Sequence, residues 1–149
     1  MELRKYTADR IPDVLQFERD LREEEDFWGW EIDEKYIADV AASFEDPAFA
    51  NSLSLLAYMD GRVVGRIDST KICSHFDGSA KAYLDWICVI KSYRHKGIAQ
   101  ALMQSLREEL KAQGADTLIG LIAANEEAQR FYRSLPNAEI RDEGIWIDL

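Results

Sequence analysis

The sequence predicts an α/β fold, a mixed sheet with helices on both faces, and three observations carry that prediction. Strand-like and helix-like segments follow one another as β-α-α-β-β-β-α-β-α-β-β. Asp60-Gly61 lies between two strand segments and is the strongest hairpin signal in the chain. A run rich in β-branched and aromatic residues, Tyr83 to Ile90, leads through a basic turn, Lys91 to Lys96, into a helix opened by Gly97. On that helix Ile98, Leu102, Leu106 and Leu110 recur every fourth residue and mark one apolar face.

Taken in order, Met1 to Thr7 alternates loosely and predicts an opening strand. Ala8-Asp9 can cap a helix with Pro12 in its first turns, and Ile11, Val14, Leu15 and Phe17–Leu21 supply its apolar side. A second helix spans roughly Asp33 to Phe44, with Pro47 just past its end. Ser52–Met59 and Arg62–Cys73 are the hairpin strands, with Gly65 a candidate bulge. The central helix closes near Gln113-Gly114, where glycine fits a helix stop. Leu118–Ala123 reads as a short strand and Asn125–Leu135 as a helix. Ala138–Arg141 and Ile145–Leu149 predict a final hairpin across Asp142-Glu143-Gly144.

Composition narrows the function. The 149 residues suit one domain, 1–149, and 28 Asp+Glu against 18 Lys+Arg give a net charge of −10. Such a balance argues against nucleic acid or an anionic membrane as partner and is compatible with a cationic small substrate. No run approaches a membrane span and the amino terminus has no apolar leader, so the expectation is a cytoplasmic protein. Cys73 and Cys88 lie in apolar, strand-like segments and read as two buried, reduced thiols. No metal site is expected.

The strand, basic turn and helix around Gly97 together make an anion site. The first amides of a helix have no partner within it, and the helix dipole places partial positive charge there. Glycine lets a phosphate approach the backbone, and Arg94 and Lys96 add full charges. Neither the P-loop pattern nor the dinucleotide pattern Gly-x-Gly-x-x-Gly is present.

Arg94-His95-Lys96-Gly97-Ile98-Ala99 resembles the Arg/Gln-x-x-Gly-x-Gly/Ala signature of the GNAT superfamily of acyl-CoA-dependent N-acyltransferases. Three further features fall in register. Leu84-Asp85-Trp86-Ile87-Cys88-Val89 looks like the family's fourth strand, with an acidic residue four before the valine. The spacing from Val89 to Arg94 fits the strand-to-turn distance. Asn125-x-x-Ala128-x-x-Phe131-Tyr132 resembles the family's later helix. The chain departs from the pattern at Lys91, where proline is usual, at His95, where glycine is usual, and at Ser134–Asn137 after the tyrosine.

The resemblance implies a GNAT-like, mostly antiparallel mixed sheet of six to seven strands flanked by about four helices. It implies acetyl-CoA as cosubstrate, its diphosphate on the amides of Arg94, His95, Lys96, Gly97, Ile98 and Ala99. The pantetheine arm would pair with the fourth strand through Ile87, Cys88 and Val89, and Asn125 would contact it or hold the last helix. The implied reaction is direct attack of a neutral amine on the thioester, with Asp85 as base or amine anchor and Tyr132 donating to the thiolate.

Each residue also has a plainer reading. Asp85 can pair with a neighbouring cation, Tyr132 can pack beside Phe131, and Asn125 can cap its helix. Between Glu18 and Glu34 stand nine acidic and two basic residues around Phe27, Trp28 and Trp30. In the family this connection lines the acceptor entrance. Glu25, Asp26, Trp28 and Trp30 are therefore expected to receive a cationic amine, against the alternative that the tryptophans only cover the core. A peptide amino terminus or lysine is the alternative acceptor, and a non-catalytic acyl-CoA-binding module the rival outside the enzyme class. Family members are often dimers, so Ile145-Trp146-Ile147 is a candidate for pairing across a homodimer.

Overall fold

The computed structural model describes residues 1–26 and 29–149, so Phe27 and Trp28 lie outside the description. The chain forms two compact units, Met1–Ile119 and Gly120–Leu149. In the first, β1 (Glu2–Lys5) is followed by a 3₁₀ turn and α1 (Ile11–Glu24), with Pro12 in the first turn. Asp33 caps α2 (Glu34–Ser43), its side chain accepting from the Tyr36 amide at 2.7 Å. β2 (Ser52–Met59), β3 (Arg62–Cys73) and β4 (Ala80–Val89) then pair antiparallel in sequence, and β1 adds antiparallel to β2. Asp60 and Gly61 both take positive φ, 51° and 79°, as a two-residue hairpin loop requires.

Two bulges shape the sheet. The register slips between Ala57 and Tyr58, so the extra residue is Val64, next to the Gly65 expected from sequence. A second slip between Asp68 and Ser69 makes Asp85 the extra residue on β4, since Asp68 faces Trp86 and Ser69 faces Leu84. α3 (Ile98–Ala112) packs on β2, β3 and β4 through Ile98, Leu102, Leu106 and Leu110, all buried. It stops where Gly114 turns left-handed at φ 84° and the Ala115 amide returns to the Leu110 carbonyl. β5 (Thr117–Gly120) follows and lies beside β4 in the sheet order β1-β2-β3-β4-β5.

Gly65 explains how closely α3 can lie. A Cβ there would stand 2.9 Å from Ile98 Cγ2 and 3.1 Å from Leu102 Cδ1. On the opposite side of the sheet, Val14, Phe17 and Leu21 of α1 pack with Leu56, Tyr58, Val63, Cys88 and Ile90. That face also buries charge. Glu18, fully buried, accepts from Tyr36 Oη at 2.7 Å and from Arg66 Nη1 at 3.1 Å. Asp68 Oδ1 accepts from Ser54 Oγ at 2.6 Å and from Arg66 Nε at 3.0 Å. The Arg66 guanidinium lies 5.0 Å from the Tyr6 ring centre and 5.6 Å from that of Trp86.

In the second unit α4 (Glu126–Arg133) is capped by Asn125, whose side chain accepts from the Ala128 amide at 2.8 Å. Among the described residues the expected final hairpin does not form, and the sheet has five strands rather than six to seven. Residues 138–149 are irregular, and Ile145, Trp146 and Ile147 are 81%, 76% and 71% exposed. β-propensity does not by itself make a hairpin, and a lone hairpin is marginal in water. The thiols differ from expectation too: Cys88 is buried, but Cys73, at the far end of β3, is exposed.

Candidate active site

The turn from Lys91 to Gly97 is held by its own backbone and by α1. The Tyr93 amide donates to the Ile90 carbonyl at 2.9 Å and the Arg94 amide to the Lys91 carbonyl at 3.1 Å. His95 and Gly97 then take left-handed conformations, φ 60° and 78°. His95 thus adopts the backbone that a glycine would adopt freely, and the turn is strained at that residue. No side chain caps α3 at Gly97, and a Cβ on Gly97 would meet nothing within 4 Å. A fifteen-residue helix therefore opens onto free space with its first amides directed outward. Such a cradle fits a phosphate. Lys96 is exposed beside it, its ammonium 4.8 Å from the Tyr93 ring centre.

Arg94 turns away from this cradle. Its Nη1 and Nη2 donate to the two carboxylate oxygens of Glu25, at 3.1 and 2.5 Å, and its Nε donates to the Val89 carbonyl at 3.0 Å. Glu24 accepts from the Ser92 amide at 2.8 Å and from Ser92 Oγ at 2.7 Å. The Ser92 hydroxyl holds the Glu24 carboxyl below its ordinary range. These contacts join positions 68 and 69 residues apart, and no local pattern announces them. The one cue in the sequence is that Glu24 and Glu25 close α1 while Arg94 sits beside a strand end.

β4 runs into the same turn. The Ile90 amide donates to the Val64 carbonyl, so by strand alternation the amides of Ile87 and Val89 face away from β3. On that side, the Asp116 amide just before β5 meets the Ala80 carbonyl at 3.0 Å. A parallel β5 of four residues ends well short of Val89. The later half of β4 thus has room along its edge for an added extended chain, beside the mouth of α3. Asp85 sits at the start of this half, exposed on its bulge. Cys88 is buried on the α1 side, and burial pushes its thiol up to about 12, so it is no nucleophile.

The remaining expected residues belong to both units. Asp26 is exposed. Trp30 packs edge-on against Trp86 at 5.8 Å, and Arg22 lies over it at 4.8 Å while donating to its carbonyl. Trp28 falls outside the described residues. In the second unit, Tyr132 packs edge-on against Phe131 at 5.2 Å, and burial raises its phenol, which keeps it protonated at neutral pH. Two concavities among the described residues, about 350 and 150 Å³, lie around the β2–β3 hairpin and Asp13 and contain none of these side chains. Among the described residues no helix is long and apolar enough to cross a membrane.

Comparison with known proteins agrees with this fold. Three solved structures illustrate the fold. An aminoglycoside acetyltransferase, meta-AAC0020, from an uncultured soil metagenomic sample in complex with sisomicin, matches with a TM-score of 0.82 at 16% identity, over 99% of this chain and 95% of that one. AAC(6')-Iy in complex with the bisubstrate analog CoA-S-monomethyl-acetylneamine matches at 0.78 and 18%, over 99% and 97%. A ribosomal-protein-alanine N-acetyltransferase from Brucella melitensis biovar Abortus 2308 matches at 0.75 and 17%, over 100% and 99%. Comparison with curated proteins by sequence finds no match. At such identities the structures speak for the fold alone; the family rests on a sequence profile, that of the acetyltransferase (GNAT) family, which matches residues 19–135. The chain belongs to the acetyltransferase (GNAT) family.

Proposed function

We propose that this protein is a single-domain, cytoplasmic N-acetyltransferase that moves an acetyl group from acetyl-CoA to the primary amine of a small cationic acceptor. One observation carries the reading: an uncapped α3, opened by left-handed Gly97, adjoins the half of β4 beyond the Asp85 bulge, a strand of ten residues beside a β5 of four. The amides of His95 to Ala99 are the proposed seat of the diphosphate, with Lys96 as the nearby full charge. The amides of Ile87 and Val89 are the proposed partners of the pantetheine arm and the thioester oxygen.

The chemistry needs protons to leave the nitrogen and one to reach the sulfur. An alkylammonium, with pKa about 10.4, must lose a proton before its nitrogen can attack the thioester carbon. Asp85 on its exposed bulge is the proposed acceptor of that proton, directly or through water. As the C–N bond forms and the C–S bond breaks, the thiolate takes a proton from Tyr132, whose raised phenol is the protonated form required, and the second proton leaving the acylated nitrogen restores the phenol through water. Asn125 is the proposed pantetheine contact or holder of α4, and its capping bond serves the second role. A net charge of −10 supports a cationic acceptor, as does the sisomicin bound to one structural neighbour.

The test is thiol release from acetyl-CoA against polyamines, aminoglycosides, amino acids and short peptides, with Tyr132→Phe beside wild type. Release stimulated by one amine class, and reduced at least tenfold in kcat by the mutation, is the expected outcome. Stimulation by peptides alone would move the acceptor to a protein amino terminus or lysine. CoA binding without release by any amine would leave a binding module.

A further inference from the structure

Glu24 and Glu25 close an acidic stretch that on sequence is suited to receive a cation. Their carboxylates are turned the other way. Glu24 takes two hydrogen bonds from Ser92, and Glu25 grips Arg94 with both oxygens. The side chains of Arg94 and Glu25 are only 19% and 11% exposed, so the pair is partly dry. Arg94 extends the tie to the carbonyl of Val89, at the end of β4. One helix terminus is thus fastened to the turn at Ser92 and Arg94 and, through Arg94, to the strand that leads into it.

We propose that Glu24 and Glu25 are positioning residues for the acyl donor, not carboxylates for the acceptor. The proposal rests on the donor reading above. Its physical basis is the strain at His95. A residue with a Cβ is unfavourable at φ 60°, and such a conformation persists only when its surroundings over-determine it. The two carboxylates supply that determination from outside the turn. They keep the amides from His95 onward pointed into the cradle before a ligand arrives. Because Glu25 neutralises Arg94, the amides and Lys96 carry the attraction for the diphosphate. The exposed acidic residues of the stretch left for an acceptor are then Glu23, Asp26 and those from Glu31 onward.

Two variants that conserve charge test this. Glu25→Asp keeps the carboxylate but withdraws it by one methylene, too short for a bidentate grip from the same backbone. Ser92→Ala removes one of the two hydrogen bonds to Glu24. CoA affinity is read by calorimetry, with the acceptor KM and the melting temperature alongside. Each variant is expected to weaken CoA binding by about three- to tenfold, with the acceptor KM unchanged. Unchanged CoA affinity overturns the proposal, as does a raised acceptor KM alone. So does tighter CoA binding, which would mean that Glu25 competes with the diphosphate for Arg94. Equal losses toward donor and acceptor with a lowered melting temperature would assign a merely structural role and overturn it too. If Glu25→Asp does not fold, the exposed Ser92 decides by itself. Wild type that binds no CoA brings down the donor reading itself, a result distinct from all of these.

Discussion

On the side of the sheet covered by α3, Ile98 and Leu102 meet a strand from which Gly65 has withdrawn its side chain, and the contact is wholly apolar. On the side covered by α1, the core also contains Glu18, Arg66 and Asp68, with the Tyr36 hydroxyl hydrogen-bonded into them. Burial alone would push the Arg66 guanidinium down, but the charge and hydrogen bond of Asp68, with Tyr6 and Glu18, together more than reverse that. Glu18 Oε2 is buried with no hydrogen-bond partner among the described residues. The comparison teaches that the two faces specify structure by different means. The apolar face fixes a distance by shape. The polar face fixes the identity of the elements that meet, because only one arrangement brings α1, α2 and β3 into a matched set of charges and donors.

The strongest way to break this comparison is Arg66→Leu. It strands two carboxylates and is expected to cost about 3–5 kcal/mol in urea unfolding. If Arg66→Leu with Glu18→Leu costs as much as the two single changes added, the face is not a network. Leu102→Ala, on the apolar face, is expected to cost about 2–4 kcal/mol through a cavity. Gly65→Ala is next, about 1–2 kcal/mol, because its Cβ would press on Ile98 and Leu102. A neutral Gly65→Ala would show that α3 can shift and that shape does not set its distance.

Smaller effects sharpen the picture. His95→Gly relieves a left-handed side-chain residue and is expected to stabilise by about 0.5 kcal/mol, after the greater chain entropy of glycine is subtracted. A loss of stability instead would mean that the His95 side chain holds the turn. The polar face alone should also sense alkali. Burial, helped by the bond to Glu18, pushes the Tyr36 hydroxyl up to about 12 from its ordinary value of 10.0. A raised pKa means that the folded state holds the proton more tightly. The contribution of Tyr36 is therefore full below pH about 10 and falls as pH rises toward 12. The urea midpoint of wild type minus that of Tyr36→Phe should shrink over that window, and a constant difference would show that Tyr36 does not titrate with folding.

Much of the fold was legible because its signals are local. The α3 stripe, the Asp60-Gly61 loop, the Asp33 and Asn125 caps and the Gly114 stop each sit within a few residues of the element they define. The polar face was hidden for a definite reason. Arg66 and Asp68 alternate with buried Ile67, which reads as a strand with one wet side. Glu18 carried a usable signal: it falls on the same helical stripe as Val14 and Leu21, where an acid calls for a buried partner. Ile145 to Ile147 misled in the opposite sense, since strand-like composition does not supply a partner strand.

The sequence by itself determined the order of the elements from β1 to α4, the glycine turn before α3 and the family that these imply. Those features depend on periodicity and on conformations set within one or two turns of chain. Only the tertiary structure decided the bulge at Asp85, the burial of Glu18 with Arg66, and the capture of Ser92 and Arg94 by Glu24 and Glu25. Each of these joins residues distant along the chain. A charged side chain carries no mark of its partner until packing removes the water that would otherwise solvate it.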